Sequence, residues 1–123
     1  MFDKMLQISM LYDFYGQLLT EKQQEIVQLY YGDDLSLGEI SEQLGISRQA
    51  VYDTIKRTEK ILFEYEEKLG LVNRFTSNNR NIEEILRIVE GIENNYHIMT
   101  AEVKFVLEEI ARIKQIANEI LEK

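Results

Sequence analysis

Gly45 separates two short amphipathic segments, each opened by a serine, and this punctuation restricts the chain more than any other feature of it. In Ser36-Leu-Gly-Glu-Ile-Ser-Glu-Gln-Leu the Ser36 hydroxyl is placed to accept from the backbone N–H of Glu39 while the Glu39 carboxylate reaches back, a reciprocal capping box. Glycine then ends the segment, because it takes a left-handed conformation without a Cβ penalty. Ile46 fills the angle, and Ser47 caps a second helix that carries Ala50, Val51 and Ile55 inward at helical spacing. Two capped helices joined by a glycine turn make a helix-turn-helix over residues 36–56.

The inward set leaves Ser47, Arg48, Gln49, Tyr52, Asp53 and Lys56 outside. A recognition helix presents its N-terminal side chains to base edges in the major groove. An arginine fork matches guanine O6 and N7, a glutamine amide matches adenine N6 and N7, and Ser47 and Lys56 suit phosphate oxygens. With Arg57 and Lys60 one turn further on, the candidate nucleic-acid-binding residues are Ser47, Arg48, Gln49, Tyr52, Lys56, Arg57 and Lys60. Asp53 would face phosphates with the wrong sign; its one apt partner is a cytosine amine.

Charge tempers that reading. The 123 residues carry a net charge of −8, and residues 20–70 alone carry 6 basic against 11 acidic side chains. The only basic surface near the motif is in residues 47–60, where Arg48, Lys56, Arg57 and Lys60 face Asp53 and Glu59. Phosphate neutralisation supplies most non-specific affinity, so an acidic body with a small basic ridge implies weak, salt-sensitive binding by a single copy. A protein partner therefore competes for the same helix.

The pattern outside the motif is helical too. Residues 3–15 are apolar nearly all round and should be buried on more than one side, in a core or a dimer interface. Thr20 with Gln23 forms a second capping box, opening a helix that ends before Gly32. Asp33 and Asp34 read as turn formers. The second motif helix should run to about Leu69, stopped by Gly70, with Glu64, Glu66 and Glu67 on a solvated face. The Asn-rich stretch 75–81 places a connection at 72–81. From Ile82 to Ile120 apolar residues recur in steps of three and four, a heptad seam on either a helical hairpin or one long helix. The hairpin is the favoured form, with a break between Gly91 and Thr100, and His97 in its turn. Leu86, Ile88, Phe105, Leu107, Ile116 and Leu121 widen the stripe beyond a two-helix seam, which argues for a bundle. Two-fold self-association would bury what one chain leaves open.

The organisation expected is all-α: residues 1–71 with the helix-turn-helix, a connection at 72–81, and C-terminal helices over 82–123 as a dimerisation element. The absence of proline agrees with a nearly all-helical chain. The absence of cysteine removes disulfides and thiolate chemistry and fits a reducing cytoplasm. No segment approaches the ~18 apolar residues of a membrane span. There is no phosphate-binding glycine loop, no zinc-type His pair and no nucleophile elbow. No catalytic, cofactor-binding or metal-binding residue is assigned, and the chain reads as a non-enzyme.

Leu-Thr-Glu-Lys-Gln-Gln at 19–24, Leu-Tyr-Tyr-Gly-Asp-Asp at 29–34 and Ser-Arg-Gln-Ala-Val-Tyr-Asp-Thr-Ile-Lys-Arg-Thr-Glu-Lys-Ile-Leu at 47–62 resemble the YlxM family, small helix-turn-helix proteins of Gram-positive bacteria. The likeness covers about Asp13 to Leu71. More distantly the region is similar to region 4 of bacterial sigma factors, although sigma-type recognition helices carry several arginines where this chain has Tyr52, Asp53 and Thr54. The resemblance implies an all-helical fold, a regulatory role, and a link to the signal recognition particle pathway, because genes of the family sit beside those of that particle's GTPases. Two mechanisms follow: a nucleic-acid-binding regulator acting through the second motif helix, or an adaptor that docks on a signal recognition particle component or another basic partner without binding DNA.

Overall fold

A computed structural model describes residues 2–95 and 100–122, and every element among them is helical. The chain forms two compact units, residues 1–73 and 74–123. In the first, α1 (Phe2–Tyr15) runs into a single 3-10 turn at Gly16–Leu18. It buries Ile8, Leu11 and Tyr15 with Leu19 and Leu62 and leaves Leu6 and Met10 in solvent. Among the described residues of the first unit α1 thus buries one stripe of three- and four-residue steps, against α4, rather than several sides.

Thr20 caps α2 (Glu21–Val27) with the full reciprocal box: Gln23 N–H donates to its hydroxyl at 3.2 Å, and its own N–H donates to the Gln23 side chain at 3.0 Å. The helix then widens into a π turn over Gln28–Gly32 rather than continuing as α-helix, closed by Asp33 N–H donating to the Gln28 carbonyl at 2.9 Å. Asp34 follows with φ 56°, a left-handed position that aspartate tolerates and branched residues do not. The turn packs Tyr30 edge-on against Tyr31, with ring centroids 4.9 Å apart.

Ser36 and Glu39 form the expected box at α3 (Leu37–Leu44), and Gly45 ends it at φ 69°. The Ser36 backbone N–H, helped by the Ser36 hydroxyl, draws the Glu39 carboxyl below its usual range. Ser47 caps α4 (Arg48–Leu69), accepting from Ala50 N–H at 3.0 Å, and Gly70 at φ 64° ends it. Ile26, Ile40, Val51 and Ile55 make the core of the motif, with Leu44 and Ile46 packed against it.

Residues 72–81 are helical rather than a loop, and the boundary between the two units falls among them. They lie within α5 (Leu71–Asn94), which is separated from α4 by Gly70 alone. Asparagine and serine each cost only up to about 0.7 kcal/mol in a helix, and this stretch has no glycine or proline to break it. Its start is instead held by a carboxylate. Glu66 accepts from Val72 N–H and Asn73 N–H, both at 3.0 Å, and from the Tyr15 hydroxyl at 2.5 Å; Tyr15 in turn accepts from Leu71 N–H at 3.1 Å. Glu66 is therefore a helix cap and not part of a solvated face, whereas Glu64 and Glu67 are exposed.

In the second unit α5 passes through Gly91 without a break, and α6 (Ala101–Glu122) opens at Thr100, whose hydroxyl accepts from Val103 N–H. The segment 82–122 is a hairpin rather than one helix: Ile82 and Ile85 share a groove with Ile113 and Ile120, and Glu93 pairs with Lys114 at 3.0 Å. That pairing raises the Lys114 ammonium above its ordinary range. The expected break fell between Gly91 and Thr100; of that span residues 96–99, with His97 among them, lie outside the described residues.

Candidate nucleic-acid interface

The buried side of α4, Val51, Ile55, Thr58 and Leu62, fixes which side chains remain outside. Ser47, Arg48, Gln49, Tyr52, Lys56, Arg57 and Lys60 are all exposed. At about 100° per residue, Gln49, Asp53, Lys56 and Lys60 share the outermost strip, Arg48 and Tyr52 occupy the flank toward α3, and Arg57 the opposite flank. From Arg48 to Lys60 the axis advances about 18 Å. The outer half of α4 thus carries all seven, with Arg48 and Arg57 at its opposite edges, and their polar ends are not equally free.

Arg48 lies back over α3. A Cβ built on Gly38 would stand 2.7 Å from its Nη2 and 3.1 Å from its Nε, so the glycine is what lets the guanidinium rest there. Gln49 donates from Nε2 to Asp53 Oδ1 at 2.9 Å, which orients the amide and leaves its carbonyl oxygen and second N–H unused. Asp53 is accordingly a positioning partner as well as a repulsive charge. Ser47 spends a lone pair on its cap and keeps its O–H to donate.

Lys56 sits 5.6 Å from the Tyr52 ring centroid and 3.6 Å from Glu59 Oε1. Glu59 is buried; it accepts from the Tyr31 hydroxyl and pairs with Lys4 of α1 at 3.1 Å. The hydrogen bond to Glu59 raises the Lys4 ammonium, and burial, reinforced by the same carboxylate, raises the Tyr31 phenol. Two ammonium groups therefore share one buried carboxylate, and the excess of positive charge beside α4 is carried partly by α1. Lys4 had no signal in the sequence, since it stands alone in an apolar helix 52 positions from Lys56. A cleft of about 560 Å³ borders this cluster, lined by Tyr30, Tyr52, Lys4 and Lys56 among others.

Replacing Gly38 by alanine should raise the stability by about 0.5–1 kcal/mol, because alanine loses less backbone entropy in a helix and only the end of a flexible arginine has to move. A thermal melt should shift upward by a few degrees. A lower melting temperature would mean that the arginine stacked on α3 contributes more than the glycine costs.

No cluster of His, Cys, Asp or Glu among the described residues has the geometry to hold a metal ion, and no described helix is long and apolar enough to cross a membrane. What the fold and the exposed face of α4 define is a helix-turn-helix protein. Residues 2–103 match the UPF0122 family, described as "Putative helix-turn-helix protein, YlxM / p13 like". UPF0122 proteins similar to this chain include one from Desulforamulus reducens, 46% identical over 116 residues, covering 94% of the chain and 92% of the relative. Another, from Thermoanaerobacter sp. strain X514, is 50% identical over 110 residues, covering 89% of the chain and 92% of the relative. A third, from Halalkalibacterium halodurans, is 52% identical over 99 residues, covering 80% and 91%. The chain belongs to the UPF0122 family.

Proposed function

We propose that this protein is a cytoplasmic, non-catalytic regulator that binds nucleic acid through α4. The observation that carries the reading is the exposed face of a serine-capped helix on which Arg48, Gln49, Tyr52, Lys56, Arg57 and Lys60 stand together. Ser47, Lys56, Arg57 and Lys60 serve phosphates, while Arg48 and Gln49 reach base edges once the guanidinium leaves Gly38. The gene neighbourhood of the family makes the signal recognition particle the first place to look, so its RNA is to be tried beside duplex DNA. The tyrosine-lined cleft next to Lys4 and Lys56 supports the RNA form, because an unpaired base can stack there beside two cations.

A second reading has its own support. Gln49 and Lys56 are engaged within the chain, Arg48 lies over Gly38, and the net charge is −8. A surface so occupied suits docking on a basic protein, such as a component of the signal recognition particle, without any nucleic acid.

Fluorescence anisotropy with labelled duplex and RNA separates the two. On the first reading Lys56→Ala lowers affinity evenly across sequences and reduces the salt slope by about one phosphate contact, Arg48→Ala costs about 1–3 kcal/mol chiefly on the preferred sequence, and Asp53→Asn tightens non-specific binding. Salt well below ~0.1 M should be needed. Absence of any binding at low salt, with affinity for a basic protein partner lost on Asp53→Asn, would sink the nucleic-acid reading and leave docking in its place.

A further inference from the structure

The hairpin of the second unit has an apolar face that its own two helices do not use. The seam between them takes Ile82, Leu86 and Val89 from α5 and Val103, Leu107, Ile110, Ala117 and Leu121 from α6, at alternating steps of three and four. Among the described residues of this unit only Val89, Ile110 and Ala117 are fully buried by it. Ile85, Ile88 and Ile92 of α5 stand about 100° around the helix from that seam, and Val106, Ile113, Ile116 and Ile120 of α6 stand about 100° from it in the same sense. The helices are antiparallel, since early residues of α5 border late residues of α6. Equal rotations of equal sense then arrive on the same side of the hairpin. The result is one broad face with a groove of about 230 Å³ whose lining, including Ile85, Ile113 and Ile116, is entirely apolar. Ile88 is 58% and Ile116 54% exposed.

We infer that this face is covered by the same face of a second copy, two hairpins closing into a four-helix bundle. Seven side chains of this size, about half exposed, leave roughly 600 Å² of apolar surface per chain, the upper edge of what a soluble monomer ordinarily shows in one patch. Doubled by pairing, this is roughly 1,200 Å², the lower edge of what stable interfaces bury. The shape favours a two-helix occupant, because a single helix would fill the groove and leave Ile88 and Val106 on its two sides in water. Most charges of the hairpin, Glu83, Arg87, Glu90, Lys104, Glu108 and Glu119, fall on other faces by helical spacing, with Glu84 and Arg112 at the edge of the stripe. Of the charges on α6, Glu102 and Glu109 share the angle of the stripe, the latter with Arg112 4.0 Å away. The inference is independent of what α4 binds.

Sedimentation equilibrium and light scattering of the full chain, without nucleic acid, should give twice the chain mass at micromolar concentration. Ile88→Asp combined with Ile116→Asp should return the chain mass, with self-affinity weakened at least about 100-fold, while Glu108→Gln leaves the dimer intact. Since two aspartates could also melt the hairpin, a second measurement uses the natural absence of cysteine. Chains carrying Ile88→Cys or Ile116→Cys should be joined in pairs by a short bismaleimide, and a chain carrying Glu108→Cys should not. A wild-type mass that stays at one chain at every concentration overturns the inference and leaves a different protein as the cover. A dimer that survives both aspartates, or is joined as readily through Glu108→Cys, overturns it as well and moves the interface elsewhere.

Discussion

Ile55→Ala will remove about 2–5 kcal/mol from the unfolding free energy, read as a lower denaturation midpoint with an unchanged slope. Ile55 is 2% exposed and packs with Ile26, Ile40 and Val51, one residue each from α2 and α3 and one from its own helix. The lost transfer energy and the cavity term add. The first unit holds few such residues, and one truncation is a large share of the ~5–15 kcal/mol by which a domain of this size is stable. Tyr52→Ala, on the same helix but in solvent, should stay within about 0.5 kcal/mol. If the two substitutions cost the same, the inward and outward faces of α4 have been exchanged, and the assignment of its outer residues to a ligand falls with them.

The sequence was most legible where local chemistry decides the structure alone. Thr20–Gln23, Ser36–Glu39, Ser47, Gly45 and Gly70 are caps whose partners lie within four residues, and each stands where its spacing put it. The all-helical class came from the same signals. What could not be read depends on residues far apart in the chain. Glu66 looked like one of three carboxylates on a solvated face because Tyr15, its partner, is 51 positions away. Without that cap the Asn-rich start of α5 reads as a loop. Lys4 and Glu59 are likewise joined only by the packing of α1 on α4. The hidden engagement of Arg48 over Gly38 has the same origin, since a glycine inside a helix gives no sign of what rests on it. The helical hairpin was open in the sequence because one heptad register runs through both halves, and a periodic stripe does not say where a chain turns.

Removing the Glu66 carboxylate tests the longest of these links. Its oxygens accept from the Tyr15 hydroxyl and from two N–H groups of the first turn of α5, so the substitution unties α1, α4 and α5 at one point. Hydrogen bonds to a charged acceptor contribute about 1.5–3 kcal/mol and a helix cap about 1, so Glu66→Ala should cost about 2–4 kcal/mol. Glu66→Gln keeps the size but turns one acceptor into a donor facing a donor, and should recover little of the loss. Tyr15→Phe should cost less, about 1–3 kcal/mol, because it leaves the carboxylate on its two N–H groups while stranding Leu71 N–H. The pH dependence identifies the mechanism. Partial burial raises the Glu66 carboxyl, but the hydrogen bonds from Tyr15, Val72 and Asn73 outweigh it and hold the group below its ordinary range. A group lowered on folding adds stability that is fully present above its unfolded value, near 4.3, and is lost as pH falls through the folded value. The gap between wild type and Glu66→Gln, measured by urea titration at each pH, should therefore be constant at neutral pH and narrow on acidification below about 4. A gap that stays the same down to acid pH would mean that the carboxylate acts through its packing alone, and the start of α5 would then owe its helix to something other than this cap.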